Sequence, residues 1–532
     1  MGLITSTFVD ILFKTLYAIS VILLAFVGLS QVISVVIYLI VGRKAWSQPE
    51  PLPLRVWPRV TVQLPIYNEK FLACRVLDAV TKFDYPREKF EIQVLDDSTD
   101  NVTSRLLIKL IKKYRDKDLD VIYLHREGRK GYKAGNLAFG MEHAKGEFLA
   151  IFDADFIPPS NWLKKTVPYF KNEKIGFVQT RWGHINFKHN LITRLAGTIL
   201  DAHFIVEQNA RYLSGLFNTF NGSAGIWRKQ TIKSVGGWQW DTMTEDVDMT
   251  FRSQIAGWKA VYLPKVVSPA ELPQQMNDFK IQQYRWCRGT AQVSLKLMGK
   301  ALPAKLPASV KFMAMLHLLS FLTFPLMIVL FMLVLPVAGS NPEFLKLFWW
   351  GAIVSIGPLL LFCLGKSENN PRFIDRLVIL PVLLLTGVGI SLVCGLSVVS
   401  GSLQKGGTFI RTTRMDPRIG REYDNHKKRT LNLFIVGEIA VAVYLLLTIF
   451  LLWGTVGRLL LPWLGSSALG FLFVAALSII ENTQEAAQSR KEKLEKKKDE
   501  ALEDGKEPNR KRMIARNQGI VGEPDEIIEP EE

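Results

Sequence analysis

Two aspartates one residue apart follow an apolar stretch of the chain and could bind a metal ion. Asp153 and Asp155 come just after Phe148–Phe152, which has the composition of a buried strand. Alternate residues of an extended chain point to the same side, so both carboxylates can face one ligand. Mg²⁺ or Mn²⁺ takes one or two carboxylates together with phosphate oxygens. The pattern therefore predicts a metal-dependent site for a phosphorylated ligand; the alternative is a loop with two surface aspartates.

A second acidic pair, Asp96 and Asp97, follows the apolar run Ile92–Leu95. Two neighbouring buried carboxylates need a counter-ion or a hydrogen-bonding ligand. The N–H group of a nucleobase and the hydroxyls of a ribose are suitable donors. The alternative is a helix N-cap, because Ser98 and Asp100 precede a helical run.

A basic, glycine-rich stretch lies between these two pairs. Residues 128–136 read Gly-Arg-Lys-Gly-Tyr-Lys-Ala-Gly-Asn. Glycine allows the backbone to approach a ligand closely, and Lys133 is a candidate phosphate-binding cation. A flexible basic loop would have the same composition.

A cluster of acids at the start of a later helical run could supply a base. Glu245 and Asp246 follow Thr244 in the sequence Thr-Glu-Asp-Val-Asp. A positioned carboxylate can take the proton of an acceptor hydroxyl, and Asp246 is the candidate. The same residues would also make an ordinary helix cap with acids in its first turn.

The sequence Gln-Gln-Tyr-Arg-Trp combines three useful side chains at Gln282, Arg285 and Trp286. A guanidinium can bind a diphosphate with two parallel hydrogen bonds, and an indole offers a broad apolar face to a sugar ring. The alternative is an amphipathic helix at a membrane surface, where Trp and Arg are common.

The elements that would position these residues are short β-rich runs that alternate with helical stretches. The predicted strands are Val60–Leu64, Ile92–Leu95, Val121–Leu124, Phe148–Phe152 and Gly176–Thr180. Strands separated by helices predict an α/β domain with a mainly parallel sheet, here over residues 58–300. Ligands bind beyond the carboxyl ends of such strands, where both acidic pairs fall.

The composition indicates that this domain is joined to a membrane region. The chain has 532 residues, of which 48% are hydrophobic, and a mean hydropathy of +0.14. The net charge is +17, but the basic residues crowd at the ends of apolar segments, as in membrane proteins. They form no nucleic-acid-reading motif, so no nucleic-acid partner is expected. Four distant cysteines without a CxxC pair exclude a zinc finger and give no disulfide framework.

Apolar segments of membrane-spanning length flank the predicted α/β domain. The first, Leu16–Val41, is too long for a cleaved signal peptide and predicts an anchor within residues 1–44. Arg43 and Lys44 follow it and place the next domain in the cytoplasm. The later segments, within residues 305–480, are 311–336, 345–364, 376–399, 431–453 and 456–480.

The segment 376–399 is expected not to cross the membrane fully. If it did, the basic loop 401–430 would lie outside, against the positive-inside rule. The segment also contains Pro381 and several glycines. We therefore expect it to lie along or re-enter from the cytoplasmic face, which leaves five crossings, with the N-terminus outside and the C-terminus inside. The charged tail, 481–532, is expected to be a solvated helix or disordered.

The order of these motifs resembles that of the family 2 glycosyltransferases, in particular the cellulose synthase-like branch. That family has paired aspartates, then DxD, TED and QxxRW, and all four appear here in order between Asp96 and Trp286. Outside these motifs, the amino-acid sequence at residues 63–69, 179–183 and 220–225 is similar to that of bacterial relatives of the plant glucomannan and xyloglucan-backbone synthases. The resemblance covers about residues 58–420. It implies a GT-A fold and an inverting transfer that yields a β-linkage.

The resemblance also implies roles for the nucleotide-binding residues. Asp96 or Asp97 would contact the nucleoside and Lys133 its phosphates. Asp153 and Asp155 would hold the nucleotide and the Mg²⁺ or Mn²⁺ ion.

For the acceptor side, the resemblance implies that Asp246, with Glu245 beside it, performs the catalysis. Further residues would bind the acceptor or the diphosphate of the donor. These are Gln282, Arg285 and Trp286, together with Asn221, Gly222 and Ser223 in the 220–225 stretch.

Residues 407–414, Gly-Thr-Phe-Ile-Arg-Thr-Thr-Arg, look like the gating loop of processive synthases. In that case Thr408, Phe409, Arg411 and Thr412 would close over the nucleotide from the cytoplasmic side. Thr413 stands where relatives often have proline, which implies a less rigid loop.

The leading expectation is a processive polysaccharide synthase of the β-glucan or (gluco)mannan type, using UDP-glucose or GDP-mannose. The alternative is a non-processive glycosyltransferase with a lipid acceptor such as diacylglycerol. Five crossings are few for a channel, so a homodimer or an accessory export subunit is an expected partner. The expected location is the inner membrane of a bacterium, or the Golgi membrane of a eukaryote, with the catalytic domain in the cytoplasm.

Overall fold

A computed structural model of the protein describes residues 2–46, 51, 54–126, 128–347, 356–407 and 425–503. Met1–Leu477 form one compact unit and Ser478–Glu532 a second. The gating-like residues Thr408, Phe409, Arg411 and Thr412 lie outside the described residues.

A seven-stranded mixed sheet is the centre of the region after the first helix. Its strands are β1 (Val60–Ile66), β2 (Phe90–Asp96), β3 (Val121–His125), β4 (Phe148–Ile151), β5 (Ile175–His184), β6 (Gly225–Arg228) and β7 (Lys259–Ala270). The order is β3-β2-β1-β4-β6-β5-β7, and only β6 runs antiparallel to its neighbours. The mainly parallel sheet predicted from the sequence is therefore confirmed.

The five predicted strands are all present, and two strands were not predicted. β6 has four residues that are all buried, so it shows no alternation of apolar and polar side chains. β7 contains Pro264 and Pro269 and two exposed lysines. These residues make its amino-acid sequence less typical of a strand.

Helices cover both faces of the sheet. Successive side chains of a strand point to opposite faces, and on each face they pack into an apolar cluster. Phe148 and Ala150 of β4 pack with Val60 in one cluster, while Leu149 and Ile151 belong to another. The helices of this region are α2 (Lys70–Val80), α3 (Asn101–Arg115), α4 (Tyr132–His143), α5 (Trp162–Thr166), α6 (Leu191–Asp201), α7 (Gln208–Leu213), α8 (Lys229–Ser234), α9 (Glu245–Ile255) and α10 (Met276–Ala301), after the N-terminal α1 (Gly2–Trp46). A π-helical segment, Ala202–Glu207, joins α6 to α7.

Four helices in the described part of the chain are long and apolar enough to cross a membrane. They are Thr7–Gly42, Ala308–Ser340, Thr430–Leu451 and Trp453–Gln488. The predicted span 345–364 is only partly covered: Ile356–Leu364 is helical, and residues 348–355 lie outside the described residues.

The predicted irregular segment 376–399 is a bent pair of helices. Phe373–Gly389 and Ser391–Leu403 meet at an angle of 41° and would count as a fifth span if taken together. A Cβ at Gly389 would lie 2.4 Å from the carbonyl oxygen of Gly470, so the bend lies at a close helix–helix approach. That this segment fails to cross stays a prediction.

The long C-terminal helix, Ser466–Glu503, extends the last candidate span well into the charged tail. The tail is therefore helical up to Glu503, which fits the solvated helix expected from its mixed charges. Residues 504–532 lie outside the described residues.

A buried ion pair joins α10 to the helix Asn425–Leu451. The Nζ atom of Lys280 lies 2.7 Å from Oε1 and 2.8 Å from Oε2 of Glu438, and both side chains are fully buried. Lys280 lies two residues before Gln282, while Glu438 lies inside the candidate span Thr430–Leu451. The ion pair therefore connects the helix of the Gln282–Trp286 motif directly to the membrane region.

Candidate active site

One cavity, of about 210 Å³, lies at the carboxyl ends of the parallel strands and is lined by residues of every motif singled out above. Those residues are Asp97, Lys133, Asp153, Asp155, Asn221, Gly222, Glu245, Asp246, Gln282, Arg285 and Trp286. The acids and the Gln282–Trp286 motif, separated by up to 190 positions, thus share one site. Asp96 and Ser223 do not line it.

The two aspartates after β2 have different environments. Asp96 is fully buried and accepts hydrogen bonds from Ser98 N–H (2.9 Å), Ser104 Oγ (2.6 Å) and Tyr123 O–H (2.7 Å). Asp97 lines the cavity. Of the two aspartates, only Asp97 reaches the cavity, while Asp96 holds the β2–α3 connection. The N-cap of α3 is Asp100, whose side chain accepts a hydrogen bond from the Thr103 N–H at 2.6 Å. The helix-cap alternative therefore applies to Asp100 and not to Asp96 or Asp97.

Arg126 holds Asp97 and the basic loop together. Its Nε and Nη2 atoms donate to the two carboxylate oxygens of Asp97, each at 2.7 Å. Its guanidinium also donates to the backbone carbonyls of Lys130 and Tyr132, both at 2.8 Å. Arg126 was not among the residues predicted from the sequence; the available signal was an arginine just after β3, ahead of the glycine-rich stretch.

The basic loop places Lys133 against the first acid of the DxD motif. Lys133 Nζ lies 2.5 Å from Asp153 Oδ1 and 3.0 Å from the carbonyl oxygen of Gly222. Burial acts to lower the pKa of Lys133, but the carboxylates of Asp153, Glu245 and Asp246 outweigh it, so the pKa is raised. Lys133 therefore remains a cation that can bind phosphate oxygens.

Asp153 and Asp155 both face the cavity, as the alternation of the DxD motif predicted. No group of three or more His, Cys, Asp and Glu side chains in the described chain could hold a metal ion by itself. A divalent ion at these two carboxylates would thus need phosphate oxygens of a ligand, which is the usual coordination of Mg²⁺ in nucleotide sites. The donor set fits a metal that arrives with a diphosphate.

Asp246 is a half-buried carboxylic acid at the start of α9. Its pKa is raised to about 7, first by burial and then by neighbouring Glu245, while Lys133 and Arg285 act in the opposite direction. Thr244 precedes the helix without forming a side-chain cap hydrogen bond. The alternative reading of this motif as a simple capping sequence is therefore not supported at Thr244.

The loop 220–225 brings the backbone close to Asp246. Gly222 has a φ of +82°, and a Cβ there would lie 3.0 Å from Asp246 Oδ2, so glycine suits both the conformation and the space. Asn221 lines the cavity beside it. Ser223, predicted to contact the acceptor, is instead fully buried, and its Oγ accepts the N–H of Asp153 at 2.9 Å. The structure corrects that prediction, because Ser223 holds the DxD motif in place.

Gln282, Arg285 and Trp286 lie on one face of α10, because residues three and four apart share a helix face, and all three line the cavity. Trp240 and His184 also line the cavity. Neither was predicted from the sequence to be a site residue. Trp240 was detectable as a tryptophan just before the Thr-Glu-Asp motif. No local pattern indicated His184, because only the fold brings the end of β5 to the cavity.

Part of the chain matches a known protein family and a plant relative. The family described as "Glycosyltransferase like family 2" matches residues 58–289. The probable glucomannan 4-beta-mannosyltransferase 6 of Oryza sativa subsp. japonica is 36% identical over an alignment of 335 residues, with 61% of this chain and 57% of the relative covered. The chain thus matches little more than half the length of that relative.

Two solved structures that match the chain at low similarity are nucleotide-sugar complexes. The mannosyltransferase PcManGT from Pyrobaculum calidifontis, in complex with GDP-Man and Mn²⁺, is 20% identical, with 73% of this chain and 99% of that chain covered and a TM-score of 0.49. S. aureus TarS 1–349 in complex with UDP-GlcNAc is 16% identical, with 65% and 89% covered and a TM-score of 0.35.

Proposed function

We propose that the chain is a membrane-embedded inverting hexosyltransferase that extends a β-glycan, with a family 2 glycosyltransferase domain of the GT-A fold at residues 58–289, the part that the family model matches. The observation that carries this proposal is the single cavity. There Asp246, with a pKa near 7, lies among Lys133, Asp153 and Asp155 on one side and the Gln282–Trp286 motif on the other.

Asp246 is the general base. Its carboxylate takes the proton of an acceptor hydroxyl as the hydroxyl oxygen attacks C1 of the donor sugar, and the bond from C1 to the diphosphate breaks on the opposite face. One displacement of this kind converts an α-linked donor into a β-linked product. A carboxylate whose pKa is near the working pH suits this proton transfer.

The leaving diphosphate is held by positive charge. Lys133 remains protonated beside Asp153, and Arg285 can bind two phosphate oxygens with its planar guanidinium. Asp153 and Asp155 would hold a Mg²⁺ or Mn²⁺ ion, which stabilises negative charge on a leaving diphosphate. Asp97 is the candidate for the nucleoside contact.

The acceptor is positioned by α10 and the loop 220–225. The indole of Trp286 can lie against a sugar ring, and Asn221 offers an amide beside Asp246. A sugar end held in line with the donor turns the transfer into an effectively unimolecular step.

The first donor to test is GDP-mannose, with UDP-glucose as the second. The 36% identical relative is named as a probable glucomannan 4-beta-mannosyltransferase, which supports a β-mannan or glucomannan product. The candidate membrane-spanning helices support a membrane location; the cytoplasmic orientation of the catalytic domain and the inner membrane of a bacterium also belong to the proposal.

The test is a donor screen on the full-length protein purified in lipid nanodiscs. Release of GDP or UDP is measured with each nucleotide-sugar, and the product is sized after digestion with β-mannanase or β-glucanase. A polymer from one donor supports the synthase. If the product is a single sugar on diacylglycerol, the protein is a glycolipid glycosyltransferase and not a polysaccharide synthase. If no donor releases its nucleotide, the proposal is refuted.

A further inference from the structure

The loop 218–223 sets the geometry on the acceptor side of the cavity. The carbonyl oxygen of Gly222 accepts from Lys133, and its Cα lies against Asp246. Asn221, the preceding residue, faces the cavity. A shift of this loop would therefore move both the base and the phosphate-binding lysine, so the groups that hold Asn221 are important.

A backbone carbonyl fixes the orientation of the Asn221 amide. The carbonyl oxygen of Thr219 can only accept, so the Gln208 atom 2.8 Å from it is the amide nitrogen. The same Gln208 nitrogen donates to the Asn221 side chain at 2.8 Å, which makes the receiving atom the oxygen, Oδ1. The other end of the Asn221 amide is therefore the nitrogen, Nδ2.

That nitrogen in turn fixes the tautomer of His203. Asn221 Nδ2 lies 3.0 Å from His203 Nε2, and because an amide nitrogen only donates, Nε2 must be the unprotonated, accepting nitrogen. The ring proton is then on Nδ1, which donates to Glu207 Oε2 at 2.9 Å. Every atom of the chain Thr219–Gln208–Asn221–His203–Glu207 thus has one consistent role.

Glu207 is an anion throughout the working range. Burial acts to raise the pKa of Glu207, but the nearby Arg211 and the hydrogen bond from His203 outweigh it and lower it to about 2. The Arg211 guanidinium lies 3.6 Å from Oε2. A carboxylate that accepts from Nδ1 holds the tautomer and the orientation of an imidazole.

The helix geometry at this place is unusual as well. His203 and Glu207 lie in the π-helical segment Ala202–Glu207 between two α-helices. Single π-helical turns inside α-helices are rare and occur frequently at functional sites.

We propose that Glu207 and His203 are positioning residues, which through the neutral imidazole orient the Asn221 amide toward an acceptor hydroxyl. An amide nitrogen carries two hydrogens; His203 accepts one, and the second is assigned to the acceptor sugar. This inference rests on the proposed function and names a specificity-determining residue, Asn221, with the two residues that orient it.

The experiment compares H203F, N221A and the double variant in nanodiscs, with GDP-mannose as donor and mannotetraose as acceptor. Each single variant should raise the KM for mannotetraose about 10-fold, the effect of about one hydrogen bond, without changing the Kd for GDP. The double variant should show no greater loss than either single variant, because both changes remove the same interaction. Effects that multiply to about 100-fold would overturn the proposal.

Two further variants sharpen the comparison. E207Q retains an oxygen that can accept from Nδ1 but lacks the charge, so its KM should lie between the wild-type and H203F values. H143F is the matched control, because His143 is an exposed histidine on α4 outside the cavity, and its KM should equal that of the wild type. A KM for E207Q equal to that of the wild type would remove Glu207 from the proposed role.

A second measurement does not depend on catalysis. Hydrogen–deuterium exchange of a peptide covering 218–223 should be faster in H203F than in the wild type and H143F, while a peptide from β2 exchanges as in the wild type. Unchanged exchange of the loop would overturn the positioning role even if no donor were turned over. A wild type that is inactive with every donor, but whose loop loosens in H203F, would refute only the proposed function.

Discussion

Asp246 lies among groups that shift its pKa in opposite directions. Burial and Glu245 favour its neutral form, whereas Lys133 and Arg285 favour its anion. The resulting pKa of about 7 leaves the group able to accept a proton and to release it near neutral pH. At the scale of single residues, the reactivity of the cavity therefore depends on the balance of these charges.

Replacing Asp246 with asparagine should remove the base and preserve the shape of the site. We expect kcat to fall by about 10²–10⁴-fold while the Kd for the nucleoside diphosphate stays within about twofold, because Asp97 and Lys133 are unchanged. Steady-state rates and calorimetric titration measure the two quantities. Turnover close to that of the wild type would show that another group is the base.

The pH dependence should follow from the same carboxylate. Activity requires the anion of Asp246, so kcat should rise with pH through about 7 and then level off. Stability has the opposite sign: a carboxyl group whose pKa is raised on folding stabilises the native state at low pH, and this contribution is lost as pH rises through about 7. D246N should thus be at least as stable as the wild type at pH 8, as measured by thermal melting. A wild-type rate independent of pH between 6 and 8 would contradict the assignment.

The DxD carboxylates should make nucleotide binding dependent on a metal ion. Asp155→Ala removes one of the two carboxylates available to the ion, so the Kd for GDP in the presence of Mn²⁺ should rise about 10-fold or more. EDTA should weaken binding to the wild type and have little further effect on the variant. If EDTA leaves the wild-type Kd unchanged, the metal assignment is wrong.

At the scale of elements, the positions of the two acidic pairs could be predicted because apolar runs and their ends are local features. β2 and β4 end where the sequence indicated, and parallel pairing brings those ends together. His184 and His203 could not be predicted from the sequence, since tertiary packing alone brings His184 to the cavity and His203 to the side chain of Asn221. Ser223 shows the converse: its motif was recognised, but only the structure shows that its hydroxyl faces the backbone of Asp153.

A glycine in α10 lets this helix pack closely against the start of α9. A Cβ on Gly289 would lie 2.4 Å from Thr244 Cγ2 and 2.8 Å from its backbone nitrogen. Gly289→Ala should therefore displace α10 from Asp246, lower kcat about 10-fold or more, and destabilise the protein by about 1–3 kcal/mol. Melting curves and rates measure both effects.

The matched control for Gly289→Ala is Gly299→Ala on the same helix. Within the described residues, no atom beyond the neighbouring residues and the helix's own backbone lies within 4 Å of a Cβ at Gly299. Alanine there should therefore keep full activity and raise stability slightly through its better helix propensity. Equal behaviour of the two variants would refute the close-packing argument.

At the scale of the whole molecule, the catalytic domain and the membrane helices form one compact unit up to Leu477. The change in composition near residue 300 suggested a domain boundary. Packing between α10 and the bent helix pair, and the buried Lys280–Glu438 pair, make the two parts continuous. Such long-range pairs leave no periodic signal in the sequence, so composition alone could not indicate them.

The Lys280–Glu438 pair should respond differently to single and double substitution. Lys280→Met or Glu438→Met alone leaves a buried charge without its partner, and we expect a loss of about 3–5 kcal/mol. The double Met variant removes both charges and should recover most of that loss. Thermal unfolding in nanodiscs measures the difference. Losses that add in the double variant would contradict a direct interaction.

The fully buried pair also limits how this enzyme could be made water-soluble. A fragment ending near residue 300 would retain Lys280 but lose its partner Glu438. The ammonium group of Lys280, which is fully buried in the whole chain, would then be exposed to solvent on the helix that carries Arg285 and Trp286. Crystallisation or assay of an excised catalytic fragment would therefore begin from a distorted acceptor helix. We therefore expect the candidate membrane-spanning helices to be part of the scaffold that holds the candidate active site.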